Sequence, residues 1–428
     1  MSNRDETLSN RDSSGLRARL GSLVLRAQRV PGLPLVSLRS WLLGGSRFES
    51  VPGLSLVTGR MLSEGTHGRD WSRWALDAED RGMTLQSAGG SETLGVALDA
   101  LAEDASLAVD WIAELLLEPA FAEERLQWVR RQAAAELEGM LDQPDLQTGR
   151  FYLEQLYHPH PYSRPLQGDR DSLETLTPEA CAAFHRQALG WGGCLVVVGD
   201  IDEEETLERL QRRLAAVAKI PVTPFPEVPS MIGSGVARRE VKVGGRDQAH
   251  LFIGHTTVPR AHEDCIALEL AAVILGAGPG MAGRLPYRIR EKEGLAYAVD
   301  VSLAASAGLE PGRMTVYLAT APGRLEQAEK AVREELQRVL DEGLTDEEFE
   351  DARSFLIGRE PFRRETLRHR ADRLAETELY GLPADQPGWI EERLQQLDRG
   401  QVEAALRRWV RPSDLVVTLG LPKDSPSQ

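Results

Sequence analysis

Histidine, cysteine and serine most often carry chemistry, yet here none stands in a working pattern. His158 and His160, in YHPHPY, are the closest pair of histidines, and a proline-locked HxH could attract a metal. His67 follows a turn, His185 sits in a helical stretch, and His250 and His255 share a strand-like stretch, with no ligand spacing among them. No GxSxG marks a serine nucleophile, and Cys181, Cys194 and Cys265 form no CxxC pair. The glycine-rich GAGPGMAG (276–283) is neither a Walker A loop nor a GxGxxG after a strand. Two stretches remain. Arg290 and Tyr297 lie on either side of a helix end, a glycine and a strand start. GLSLVTGRMLSEGT (53–66) has the outline of a metal-binding helix but holds no histidine or cysteine.

The elements that must position these residues are read from pattern. The 428-residue chain has room for two or three domains of roughly 150 residues. Its 42% hydrophobic and 27% charged content is that of a soluble globular protein. No run approaches the ~18 apolar residues of a membrane span, and the charged, Ser-rich N-terminus lacks the core of a secretory signal. Residues 1–20 are expected to form a disordered tail. The absence of a cysteine framework fits a reducing compartment, taken as the cytoplasm. A net charge of −16 disfavours nucleic acid as a partner.

CLVVVGDID (Cys194 to Asp202), after a helical pattern from Thr177 to Leu189, superposes on DLVVTLG (Asp414 to Gly420), after one from Gln401 to Trp409. DAEDRGMTLQS (77–87) and IREKEGLAYAV (289–299) agree in the same order. The chain therefore reads as a duplicated domain, 21–218 and 236–428. The Pro-rich KIPVTPFPEVPSMIGSG (219–235) serves as a hinge linker. Leu325 to Gly343 is an amphipathic helix with a glycine stop, and Thr345 with Glu348 forms a capping box for the next. Strands mixed with long helices predict an α+β fold of two duplicated domains, each a mostly antiparallel sheet with helices packed on one face.

In this order of elements the chain resembles the pitrilysin–insulinase family of metallopeptidases, the inverzincins, over about Leu23 to Leu421. The matching motifs are VSLRSWLLGGSRFE, GL…ML..GT, the long segment from QPDLQTGRFYLEQLYHPHPYSRP to LTPEA, and GRLPYRIREKEGLAY. The resemblance implies an HxxEH helix between GL and ML..GT, with two histidines on one helix face for zinc and a glutamate as general base. The three motif positions here hold Leu56, Gly59 and Arg60. Leucine has no donor, glycine no side chain, and arginine is a permanent cation that repels a metal. Glu136 falls where a third ligand would be and is expected to be an ordinary helix glutamate, in ion-pair reach of Arg60. His158 and His160 fall in a packing loop.

The same resemblance makes Arg290 and Tyr297 a pair that contacts the substrate backbone and stabilises charge developing on the scissile carbonyl. Without it, Arg290 reads as a surface arginine paired with Glu291 or Glu293, and Tyr297 as a core aromatic. Gly278 and Gly280 fall in the glycine-rich stretch that bears on substrate in the noncatalytic processing-peptidase subunit. The expectation is a noncatalytic subunit with no metal or other cofactor of its own. It would bind peptide and pair with a homologous catalytic subunit that carries HxxEH and zinc. The alternative is a scaffold like the core subunits of the respiratory cytochrome complex.

Overall fold

The computed structural model describes residues 10–229, 236–245, 247–278, 283–384 and 386–423. It falls into two compact units: Met1–Glu136 with Pro165–Val228 and Pro361–Gln386, and Leu137–Arg164 with Pro229–Glu360 and Pro387–Gln428. The strands of the first unit are β1 (Asn10–Asp12), β2 (Gly15–Leu20), β3 (Leu23–Arg29), β4 (Leu35–Leu43), β5 (Thr84–Gly89), β6 (Thr93–Leu101) and β7 (Gly193–Gly199). They form a seven-stranded sheet ordered β1-β2-β3-β7-β4-β6-β5, antiparallel throughout except for β3 beside β7.

Helices α1 (Leu54–Met61), α2 (Trp71–Glu79), α3 (Ala105–Leu117), α4 (Glu123–Leu141), α5 (Pro144–Tyr157), α6 (Arg170–Thr175), α7 (Pro178–Trp191) and α8 (Glu203–Arg213) follow in chain order. All but α5 contribute to the first unit, where a continuous core runs from Leu195 and Val197 of β7 to Trp74, Trp111 and Leu116 of the helices.

The second unit holds β8 (Ala237–Val243), β9 (Ala249–Thr256), β10 (Ala296–Ala305), β11 (Arg313–Thr320) and β12 (Val416–Pro422), ordered β10-β11-β9-β12-β8. Its helices are α9 (Cys265–Ala272), the short α10 (Arg284–Pro286), α11 (Leu325–Glu342), α12 (Asp346–Arg359), α14 (Gln386–Gln396) and α15 (Arg399–Trp409); α13 (Leu367–Tyr380) belongs to the first unit. Read from the other edge, the second sheet is β8-β12-β9-β11-β10, the order of β3-β7-β4-β6-β5, with its one parallel pair, β8 beside β12, in the same place. The duplication is thus one topology used twice, and the fold is the expected α+β pair. Gly82 (φ 62°) and Gly294 (φ 58°) end corresponding helical segments and turn the chain into the corresponding edge strands β5 and β10. Both need the left-handed backbone that glycine adopts freely.

The main helical layer covers one face of each sheet, and a single helix from the far half of the sequence covers the other. In the first unit Cys194, Val196 and Val198 point away from the main core onto Leu367, Ala371, Leu374 and Ala375 of α13. This is why β7 is an unbroken apolar run rather than an alternating one. Arg39 and Asp372 fix α13 further at 2.6 Å. In the second unit α5 plays this part: Tyr152 stacks on Phe252 at 5.6 Å, and Gly420 leaves room for Thr148. The contiguous boundaries 21–218 and 236–428 therefore need correcting, because residues 137–164 and 361–386 each lie in the unit built mostly from the other half.

The expected tail also needs correcting from residue 10 on. β1 and β2 form a hairpin whose charges are neutralised by partners: Asp12 accepts from the buried Arg26 at 2.6 and 2.8 Å, and Arg17 pairs with Glu378 at 3.0 Å. The first part of the linker is fastened as well. Thr223 donates its backbone N–H to Gly190, and Phe225 stacks on Phe48 at 5.3 Å.

Candidate functional site

The helix that the sequence likens to a metal site is α1, entered through Gly53 in the left-handed region (φ 89°). Leu56 points into the first unit's core and is 5% exposed. Gly59 lies against the backbone of β5, where a Cβ would come within 2.3 Å of Ala88 and of the Gly89 nitrogen. Gly89 answers in kind, since its own Cβ would meet the Ser55 carbonyl oxygen at 2.0 Å. Helix and strand touch backbone to backbone, and Ser87 Oγ donates to the Arg60 carbonyl at 2.9 Å while also meeting Ser63 Oγ at 2.7 Å.

Arg60 Nη2 donates to Glu136 Oε2 at 2.8 Å, as expected from the sequence. A zinc ion does not fit these residues. One ligand position is an aliphatic core residue, the base position has no space for a side chain, and the remaining carboxylate already faces a fixed cation. Among the described residues no group of three His, Cys, Asp or Glu side chains is placed to hold a metal. His158 and His160 do not converge, as the first is exposed and the second fully buried, its Nδ1 accepting from the Tyr162 N–H at 3.2 Å.

The second unit places Arg290 and Tyr297 together. α10 runs on into a wide turn, Tyr287–Lys292, anchored by buried Leu285 and Ile289. Arg288 on this turn donates to Glu293 at 2.8 Å and reaches Glu334 and Glu335 of α11, which clamps the turn against that helix. Gly294 reverses the chain, the Leu295 N–H returns to the Ile289 carbonyl, and Thr320 Oγ1 donates to the Leu295 carbonyl at 2.6 Å. β10 then begins at Ala296 opposite Thr320 of β11.

The outcome is a guanidinium stacked on a phenol. Arg290 Cζ lies 5.3 Å from the centre of the Tyr297 ring, and Arg290 Nε lies 3.4 Å from Glu291. The surface pairing of Arg290 with Glu291 and the partnership with Tyr297 hold at once. Tyr297 is 81% exposed, so its reading as a core aromatic is excluded. Both residues line an open basin of about 730 Å3 with Glu291, Asp247, Thr320 and Arg324. Among the described strands β10 pairs with β11 alone, which leaves it an edge strand of its sheet, with Ala296 and Tyr297 at its start lining this basin. Gly276 packs onto Val301 of β10, and Gly278 follows it; Gly280 lies outside the described residues.

Arg288 and Arg324 were not singled out from the sequence. The spacing of Arg288 and Glu293 around one turn was a usable signal for the first. Nothing local marks Arg324, which reaches the basin only because β11 pairs with β10.

Residues 29–170 match the profile of the insulinase family, peptidase family M16, and residues 192–356 match that of the peptidase M16 inactive domain. The chain is 28% identical to an uncharacterised zinc protease of Mycobacterium leprae over 90% of this chain and 85% of that one. It is 24% identical to a non-peptidase homolog of Helicobacter pylori over 86% of this chain and 84% of that one. The crystal structure of a peptidase M16 inactive domain from Pseudomonas fluorescens superposes with a TM-score of 0.84 at 22% identity, over 98% and 99% of the two chains. With two family profiles in succession and the duplicated fold behind them, this chain is a member of the insulinase (M16) peptidase family, of the kind that lacks the peptidase's catalytic residues.

Proposed function

We propose that this chain is the noncatalytic subunit of a two-chain zinc endopeptidase, working in the cytoplasm beside a homologous subunit that carries HxxEH and its zinc. The chain brings no metal. It supplies Arg290 and Tyr297, Gly278 and Gly280 of the glycine-rich stretch, and part of the wall around the bound peptide. The observation that carries this reading is the exposed Tyr297 with Arg290 stacked on it at a sheet edge, in a chain whose zinc positions are filled by Leu56, Gly59 and Arg60. An exposed phenol with a partly buried guanidinium stacked on it contributes little to a fold, but the two are suited to a carbonyl oxygen on which negative charge develops. The free edge of β10 can receive an extended peptide as an added strand. No described helix is long and apolar enough to cross a membrane.

The test is co-expression with a similar-length HxxEH chain, followed by metal analysis and an assay on an unstructured peptide. The chain alone is expected to hold no stoichiometric zinc and to cleave nothing, while the pair does both. Arg290→Ala or Tyr297→Phe should lower turnover of the pair, by on the order of 10²-fold where the lost group faces the oxyanion, without separating the subunits. If turnover is unchanged in both variants the role is that of a scaffold, and zinc with cleavage in the isolated chain would overturn the reading altogether.

A further inference from the structure

We propose that Arg324 is a third binding group of the Arg290–Tyr297 basin and takes a carboxylate of the bound peptide, an inference that rests on the peptide-binding reading above. Arg324 closes the short turn Pro322–Arg324 between β11 and α11 and is exposed on the basin. Its Nη1 donates to the Gly294 carbonyl at 2.8 Å, the residue at which the chain bends between Arg290 and Tyr297. That bond aims the guanidinium while leaving most of its five N–H donors uncommitted.

The neighbouring arginines are matched with acids. Arg284 meets Glu348, Arg288 meets Glu293, Glu334 and Glu335, and Arg290 meets Glu291. Arg324 makes no ion pair with a described carboxylate, in a chain whose net charge is −16. A cation left without an acid in so acidic a chain, and held by a backbone carbonyl in a basin of about 730 Å3, has the geometry of a receptor for an incoming carboxylate. The planar fork of a guanidinium matches the two oxygens of that group. The carboxylate can be the C-terminus of the peptide or an Asp or Glu side chain, since both present the same two oxygens.

Fluorescence anisotropy on the full chain, with labelled unstructured peptides, separates these sources. One pair has the same neutral sequence with a free or an amidated C-terminus; a second pair is amidated and carries an internal Glu or Gln. The wild type is expected to bind one acidic member about fivefold more tightly than its neutral twin, the scale of one exposed charge-assisted pair. The pair that shows the preference identifies the source. Arg324→Gln should abolish the preference, and Arg324→Lys should keep part of it. If peptides bind but neither pair shows a preference, or the preference survives Arg324→Gln, the carboxylate role is overturned and the peptide-binding reading stands. If Arg324→Gln weakens acidic and neutral twins equally, Arg324 only holds the bend and the proposal is likewise overturned. If no peptide binds the wild type, either alone or co-expressed with the HxxEH chain, the underlying reading fails and this inference with it.

Discussion

Replacing Gly59 with alanine should destabilise the first unit, although the same change on a helix usually does the opposite. Alanine is favoured over glycine in a helix interior by about 1 kcal/mol. Against this, a Cβ at position 59 would stand 2.3 Å from Ala88 C, Ala88 O and Gly89 N. These are backbone atoms of β5, which is tied residue by residue to β6 from Thr84–Asp99 to Gly89–Leu94. Relief requires α1 to lift from the strand by roughly 1 Å, which also stretches the bonds from Ser87 to Arg60 and Ser63. Overpacking at the upper end of its usual range costs ~3 kcal/mol and a weakened hydrogen bond ~1 kcal/mol, leaving a net loss of ~3 kcal/mol after the helical gain.

With a urea slope of 2–3 kcal/mol/M, the midpoint should fall by about 1 M. Tryptophan fluorescence is a suitable probe, because all the tryptophans except Trp389 and Trp409 lie in the first unit, Trp74 and Trp111 among its core. Gly139 in α4 and Gly358 in α12, both in the second unit, are controls read from the helical circular dichroism, since a Cβ at either meets nothing within 4 Å. Alanine there should be neutral or stabilising, by up to ~1 kcal/mol. The same clash bears on restoring the motif. A chain carrying Leu56→His, Gly59→Glu and Arg60→His has that Cβ too, and it should lose stability rather than gain a zinc site. Gly59→Ala as stable as the wild type, or the triple variant folded with one bound zinc, would refute the reasoning.

Two further outcomes are expected. Removing either partner of the Arg60–Glu136 pair should cost little: both side chains are partly exposed, and a double-mutant cycle should give a coupling of ~1 kcal/mol or less. A coupling of several kcal/mol would mean that the pair does more than replace a lost ligand contact. Burial holds the His185 imidazole neutral, its pKa pushed down to about 4, with the nearby Leu116 backbone opposing the shift. The unfolded chain takes up this proton near pH 6.5 and the folded one does not, so the contribution is intact above pH 6.5 and shrinks as pH falls toward 4. The loss should be on the order of 2 kcal/mol by pH 5, read from urea midpoints at pH 7 and pH 5. His185→Gln should flatten that slope, and an unchanged slope would count against burial as its cause.

Features with a local signature were legible in the sequence. The repeated LVV blocks became β7 and β12 at matching places in two sheets, and the helical pattern before the first became α7 with Thr177 as its cap. The glycine stop after α11 and the Thr345–Glu348 box fell where composition put them. The salt bridge from Arg60 to Glu136, 76 residues apart, came from the family resemblance and not from a local signature. Features that depend on partners far along the chain were not legible. Residues 10–20 looked like a solvated tail because their charges were visible and the acids and bases neutralising them, Arg26 and Glu378, were not. α5 and α13 fall inside the contiguous boundaries 21–218 and 236–428, each in the half whose sheet it does not cover. Their apolar faces are complementary to Phe252 and to Val196 respectively, and a periodic pattern cannot say which sheet it will cover. Gly59 read as an absent base, whereas its contact with Ala88 makes the absence a packing requirement.

The two edge strands β5 and β10 show how the halves of a duplicated chain come to differ. β5 and β10 hold the same position in their sheets and are entered through the same left-handed glycine, Gly82 or Gly294. In the first unit α1 lies on β5 with no gap, closed by Gly59 against Ala88, Gly89 against Ser55, and the Ser63–Ser87–Arg60 bonds. Any group that needed space there, whether a catalytic glutamate or a water-bearing ion, would have to force two backbones apart. In the second unit the turn before β10 is held from behind, by Arg288 on α11 and by Thr320 on the Leu295 carbonyl, and the front is left open with Tyr297 standing out of it. The clamp behind β10 uses none of the residues that seal β5. Closing one edge therefore costs the other nothing, and one chain can give up the space for a metal at β5 while holding Arg290 and Tyr297 on a clamped turn at β10.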